Sequence, residues 1–258
     1  MNRFIFFICF IIMIITGSSC KKTKADIDCN SYPVPSDTYK YPILPGTPAW
    51  ANLKTGEEML QACQIPDSVL PTISTEGLVQ SWLDMPLNNE IFVTNSIQKA
   101  MEYFIENFSG LRELVGRYDA ADKLFKKYQS MNPACITTFK TEIEQGSFTF
   151  LFSYIELPLA QDTILNQMTL KQKKILVNEA MKKYKYRIDH LNYYDIITAN
   201  ISLFICAKVM RNCQYQPFLN SMNDDLLWFI SNAQFKIPLD NYATEKNIII
   251  SNSLNFTK

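Results

Sequence analysis

The sequence predicts an all-α protein: an irregular helical array or bundle that follows an N-terminal signal and a proline-rich linker. Three observations carry this. Apolar residues recur at three- and four-residue spacing in segment after segment, about 20 to 25 residues apart, with short breaks marked by proline or asparagine. Helix-start signatures precede two of those segments. Glycine is scarce, at 7 of 258 residues, which disfavours tight-turn β architectures and glycine-rich phosphate loops.

The first helical signal is Thr55-Gly-Glu-Glu58, a capping box followed by Met59, Leu60 and Cys63 on one face. Pro66-Asp67 is expected to open a short helical turn that Pro71 ends. Ser74 is placed to cap a helix whose Leu78, Val79, Trp82 and Leu83 recur at helical spacing as far as Pro86. Ser96 to Gly116 reads as one amphipathic helix of about five turns. Ile97, Met101, Phe104, Ile105, Phe108, Leu111, Leu114 and Val115 form its stripe, and Lys99, Glu102, Glu106, Arg112 and Glu113 lie off it. The polar face is mixed in sign, so the stripe is expected to dock on a core and not on a membrane.

Asp119 to Met131 supplies another helix. Ser147 to Leu157 fits a strand by alternation and a helix by its Phe148, Leu151, Phe152 and Ile155; helix is preferred because a lone strand has no partner. Thr169-Leu-Lys-Gln172 is a second capping box, ahead of Leu176, Ala180, Met181, Tyr184 and Ile188. Ile196 to Met210 is apolar on nearly all sides, including Ile197, and too short to span a bilayer; it reads as the central core helix. Asp224 to Asn232 is a further helix. Ile248-Ile249-Ile250 suggests a short strand or a segment packed on the domain.

The amino terminus has a different character. Met1-Asn2-Arg3 is cationic, Phe4 to Ile15 is an unbroken apolar run, and Thr16-Gly-Ser-Ser19 is a small-residue stretch ending at Cys20. That order is a secretory signal with a processing site. The run of about 12 residues is too short for a spanning helix, which needs roughly 20. The cysteine so placed resembles the lipobox of bacterial lipoproteins, with Gly17 where leucine is usual. The resemblance implies lipid attachment at Cys20, and acyl chains burying about 0.8 kcal/mol per methylene hold a protein stably at a membrane. Lys21 is not the aspartate that retains lipoproteins in the inner membrane, so the resemblance implies the outer membrane; the first positions after Cys20 carry no acidic signal for display on the cell surface, which points to the periplasmic face. The expected organisation is a signal peptide at 1–19, a lipid-anchored proline-rich linker at 20–50 and a helical domain at 51–258. Pro33, Pro35, Pro42, Pro45 and Pro48 favour extended chain in the linker, at about 3 Å per residue.

Charge is balanced, with 25 basic and 25 acidic residues, so nothing argues for a nucleic-acid partner. Past Cys20 stand Cys29, Cys63, Cys135, Cys206 and Cys213, an odd number. No Cys-x-x-Cys pair occurs and there is one histidine, so zinc-ligand spacing is missing, and no metal or other cofactor is expected. Cys206 and Cys213 lie seven apart on a helix, roughly 10 Å, too far for a disulfide. Most of these thiols are expected to be buried and free; a Cys29 to Cys63 bridge is the alternative kept open.

His190, with Asp189 beside it, is the one local candidate for a general base. It has no nucleophile elbow or cysteine signature with it, and a surface or packing role is expected. The acidic pairs Glu57-Glu58, Glu142/Glu144 and Asp224-Asp225 are expected to be caps and solvated faces. Asp67-Ser68-Val69 and Asp162-Thr163-Ile164 resemble bacterial O-glycosylation tripeptides; helix capping by the aspartates is the preferred reading. Trp82 and Trp228 are expected in the core, and Trp50 where the linker meets the domain.

Tyr41-Pro-Ile-Leu-Pro-Gly-Thr-Pro-Ala-Trp50, Glu58-Met-Leu-Gln-Ala-Cys-Gln-Ile-Pro66, Ser74-Thr-Glu-Gly-Leu78 and Asn107-Phe-Ser-Gly-Leu111 resemble a group of uncharacterised bacterial lipoproteins. The resemblance implies an all-helical lipoprotein and brings no activity with it. The functional expectation is a non-enzymatic envelope module, with no catalytic residue, held to the membrane by its lipid and binding or scaffolding an envelope protein or polymer. The alternative is a hydrolase acting on envelope polymer or imported glycan.

Overall fold

The computed structural model describes Cys29, residues 33–236 and residues 241–258, and among these the regular structure is helical throughout. Cys20 and the signal lie outside the described residues.

The centre is helix α10, Ile196–Asn212. Every residue from Thr198 to Met210 is buried, including Asn200, Ser202 and Lys208. Helix α9, Leu170–Asp189, packs antiparallel to it: Lys173 Nζ donates to Asn212 Oδ1 at 2.6 Å near one end, and Arg187 Nη1 to the Thr198 carbonyl at 3.1 Å near the other. Helix α7, Glu142–Leu159, and the short α8, Asp162–Leu165, run alongside α10, with Glu156 meeting Ser202 and Asp162 meeting Lys208. Ser147 to Leu157 is thus helical as expected. Its helix begins earlier, at a third capping box, Thr141 with Glu144, that the sequence reading passed over.

The N-terminal half gathers around Trp82 of α3, Thr75–Leu83, which Ser74 caps as expected. Trp82 is fully buried, and its Nε1 donates to the Tyr154 carbonyl of α7 at 2.6 Å, joining the two halves. Against α3 and α7 pack α4, Ile97–Asn107, α5, Ser109–Gly116, and α6, Ala120–Ser130.

Four expectations are corrected. Ser96 to Gly116 is two helices, not one, broken at Phe108. The backbone at the break is bound by another segment: Gln64 Nε2 donates to the Asn107 carbonyl at 2.9 Å, and the Ser109 N–H to Gln64 Oε1 at 2.9 Å. Ser109 Oγ completes the clasp, accepting from Ile65 N–H and donating to its carbonyl, each at 2.9 Å. Gly110 lets that segment approach, since a Cβ there would stand 2.7 Å from Ile65 Cδ1. The stripe still faces inward, with Ile97, Met101, Phe104, Phe108, Leu111 and Leu114 buried.

Second, the Ile248 to Ile250 segment lies in helix α13, Tyr242–Phe256, not in a strand. Glu245, Ile249, Ser253 and Phe256 form its buried face, a helical spacing packed on α9 and α10. Third, Pro71 does not end a turn but stands at the start of one, the 3-10 helix Leu70–Thr72, where a missing N–H costs nothing.

Fourth, Cys29 bonds Cys135 and not Cys63, with Cα atoms 5.7 Å apart across a sequence separation of 106. Cys63 and Cys206 are free and buried, but Cys213 is free and only half-buried, so two of the five thiols meet the expectation and not most of them; burial pushes Cys63 and Cys206 up to about 12. The proline-rich segment from Pro33 to Trp50 lies along the domain as a strap. Asp37 Oδ2 accepts from the Ser74 N–H at 2.7 Å, Ser81 Oγ from the Tyr39 N–H at 2.9 Å, and the Ser81 carbonyl from the Tyr41 hydroxyl at 2.8 Å. Ser74, Gly77 and Ser81 form the small-residue track beneath it. A Cβ on Gly77 would stand 2.6 Å from Asp37 Oδ1.

Candidate functional site

A groove of about 570 Å³ opens between α4, the 3-10 helix Asn88–Val93 and α12, Asp224–Asn232. Its aromatic surface comes from Tyr103 of α4, 53% exposed, and Trp228 of α12, 42% exposed. Exposed Val93 adds apolar wall, and Glu90, Asn95 and Lys99 add polar edges.

The elements fix this geometry. Ser96 caps α4 by accepting from the Lys99 N–H at 3.3 Å, which places Lys99 and Tyr103 one turn apart at the rim. Buried Leu226, Phe229 and Ile230 turn one face of α12 inward, so Leu227 and Trp228 point outward. Asn223 caps α12 by accepting from the Leu226 N–H at 2.8 Å. Gln234 Nε2 reaches across to the Asn95 carbonyl at 2.5 Å, tying the end of α12 to the turn before α4. Asn232 spends its amide N–H on the Trp228 carbonyl at 2.9 Å. Trp228 therefore departs from the expectation of a core tryptophan, while Trp82 meets it and Trp50 is half-buried. Position on the helix decides: 226, 229 and 230 already fill the inward arc.

The groove suits a ligand with flat apolar faces and polar edges. Aromatic rings supply contact area at low entropic cost, and the amide, carboxylate and ammonium at the rim supply orientation. Among the described residues no cluster of histidine, cysteine, aspartate and glutamate is placed to hold a metal ion.

The other residues singled out from the sequence are scattered. His190 ends α9, with its ring stacked on Tyr186 at 4.0 Å between centroids and Nδ1 2.8 Å from the Tyr186 carbonyl. Asp189 turns away from it and pairs with Lys185 at 2.9 Å. Glu58 and Glu144 are capping-box members, and Glu57 and Glu142 share their first turns. Hydrogen bonds from the Thr141 backbone and hydroxyl hold Glu144 below the usual carboxylate range. Asp225 is held low by the Asn241 amide, 2.7 Å away, and pairs with Lys236 at 3.5 Å; Asp224 starts α12. Neither aspartate caps a helix as expected: Asp67 lies in an exposed turn, and Asp162 is the first residue of α8, after Gln161 at the cap position, and meets Lys208 at 3.3 Å. None of these converge. Cys20, the expected lipid site, lies outside the described residues.

Sequence reasoning missed a fully buried charge cluster among the described residues. Glu156 and Arg187 are both 0% exposed and pair at 2.6 Å in the core. The same Glu156 oxygen accepts from the Tyr128 hydroxyl at 2.6 Å and from Ser202 Oγ, and Arg187 Nη2 also donates to Ser202. Arg187 stands over the Phe152 ring, and the Lys183 ammonium over Tyr128 at 4.6 Å. Burial, then the nearby Glu156 charge, drives the Tyr128 pKa well up, so its hydroxyl remains a donor.

Compared with known protein families, curated proteins and solved structures, the chain matches none. No helix among the described residues is long and apolar enough to cross a membrane.

Proposed function

We propose that this chain is a non-enzymatic envelope lipoprotein, held through Cys20 at the periplasmic face of the bacterial outer membrane, and that the Tyr103–Trp228 groove takes an envelope protein or polymer. The observation that carries the binding reading is the exposure of two aromatic rings in one groove beside polar groups. Tryptophan and tyrosine are enriched among the residues that anchor binding interfaces, and here one of each lines the same groove. The anchor reading rests on the order of charge, apolar run, small residues and cysteine at the amino terminus.

Two measurements test it. Cys20→Ala should release the domain to the soluble periplasmic fraction or leave an unprocessed precursor; intact Met1 to Ser19 on mature wild-type protein would overturn the anchor. Pull-down from native envelope should recover a partner with wild type and lose it with Trp228→Ala and Tyr103→Ala, at about 10-fold or more for a central aromatic anchor. Equal recovery by both variants would remove the groove from the reading. Turnover on a panel of ester, glycoside, peptide and phosphoester substrates that disappears in His190→Ala would replace binding by hydrolysis.

A further inference from the structure

The Cys29–Cys135 bridge decides which end of the domain lies nearest any anchor at Cys20. Residues 21–28 alone separate Cys20 from Cys29. Nine residue steps reach at most about 30 Å when fully extended. Cys135 sits in the 3-10 helix Pro133–Thr138. The carbonyl of Pro133 in that same helix accepts the buried Tyr194 hydroxyl at 2.6 Å. Tyr194 belongs to the turn that joins α9 to α10, so this turn and the bridge lie at one end of the molecule.

That turn is apolar on its outside. Leu191, Tyr193, Ile196 and Ile197 fall within seven residues, and each is between 36% and 56% exposed. Ile196 and Ile197 open α10 at a point where the buried face has not yet begun, so the core leaves both outside, contrary to the core place expected for Ile197. Two neighbouring carboxylates are already engaged. Asp195 caps α10 through the Thr198 N–H at 2.8 Å, and Asp189 pairs with Lys185. An apolar turn with its charges satisfied, within reach of a lipid anchor, fits the boundary of a bilayer.

We propose that the 191–197 turn rests on the phospholipid surface, with Leu191, Tyr193, Ile196 and Ile197 set into the headgroup and acyl boundary; this rests on the reading of Cys20 as the lipid anchor. A patch this small binds vesicles weakly by itself. A short tether raises its effective concentration to the order of millimolar, which makes weak contact sufficient. The disulfide thus serves orientation as well as stability. It replaces a tether that would otherwise run to the strap by one that ends beside the apolar turn.

The test uses the full mature protein, acylated in cells, in phosphatidylethanolamine and phosphatidylglycerol vesicles that contain a phospholipid with a photoactivatable acyl chain. Intact mass reports acylation of Cys20 in the same sample. After illumination, lipid adducts should concentrate on the peptide carrying residues 190–198. The reference is the peptide around exposed Lys171, at the other end of α9, a helix of 20 residues and about 30 Å. An excess of about 10-fold is expected for a segment at the acyl boundary over one held in water. Leu191→Ser with Ile197→Ser should bring the two peptides level while the protein stays on the vesicles. Cys29→Ser, which lengthens the tether at an exposed position, should lower the excess. Even labelling of acylated wild type would overturn the docking and leave the anchor standing. Absence of acyl mass on Cys20 would overturn both. Adducts between two protein copies through residues 190–198, in place of lipid adducts, would assign the turn to self-association and overturn the proposal.

Discussion

Glu156 and Arg187 show what a buried charge requires of its neighbours. The carboxylate oxygen that meets Arg187 also takes the Tyr128 and Ser202 hydroxyls, while Glu156 Oε2 and Arg187 Nε are buried without a hydrogen bond. Desolvation of both ions offsets much of their attraction, so the pair is better read as fixing one arrangement of α7, α9 and α10 than as a large source of stability. Removing one partner is another matter. Glu156→Ala should cost about 3–5 kcal/mol in urea unfolding, because it strands the guanidinium. Glu156→Leu with Arg187→Met should recover most of that loss; a double variant as unstable as the single one would show that the pair is strongly stabilising. From sequence, Glu156 is one carboxylate in an apolar helix and Arg187 one cation on a charged one. Nothing in their spacing joins them, because they are 31 positions apart and meet only when the helices pack.

Among the elements, α4 and α5 test the sequence reading most directly. The inward stripe was legible: of its eight apolar residues six are buried, and Ile105 and Val115 are half-buried against the core. The break at Phe108 was not, because its cause is Gln64 and Ile65, more than 40 residues away. Phe104→Ala should destabilise by about 3–5 kcal/mol, as expected for a buried ring beside Trp82, 5.9 Å between centroids. Glu106→Ala, on the exposed face, should stay within about 0.5 kcal/mol. Equal small effects in denaturant melts would show that the faces are misassigned. Helix α13 makes the complementary point. Three adjacent isoleucines favour extended chain by local preference, but Glu245, Ile249, Ser253 and Phe256 align once α9 and α10 offer a surface to cover.

At the scale of the whole molecule, the described residues form a helical body around α10 with a proline-rich strap fastened across α3. Asp37 is one fastening, and its titration is measurable. Burial alone would raise its pKa, but the Ser74 backbone and hydroxyl hydrogen bonds outweigh that and hold it below the usual value. A carboxylate with a depressed folded pKa contributes stability that is complete above the unfolded value, near 4, and lost as pH falls through the folded value. Hydrogen exchange in the strap, corrected for intrinsic rates, should therefore report loosening below about pH 4 in wild type and little further change with pH in Asp37→Asn. A wild-type strap equally protected at low pH would show that the carboxylate contributes nothing. The sequence by itself determined the helical class, the capped starts of the Gly56–Ala62 helix, α3 and α9, the buried α10 and the inward stripe of α4 and α5. These are local matters of period and cap chemistry, encoded within a few turns of chain. Only the tertiary structure decided the Cys29–Cys135 pairing, the Glu156–Arg187 cluster, the strap, and the outward placement of Trp228 and Ile197. Each of these depends on which segments meet, or on how much of a helix its neighbours leave uncovered. A window of sequence contains neither.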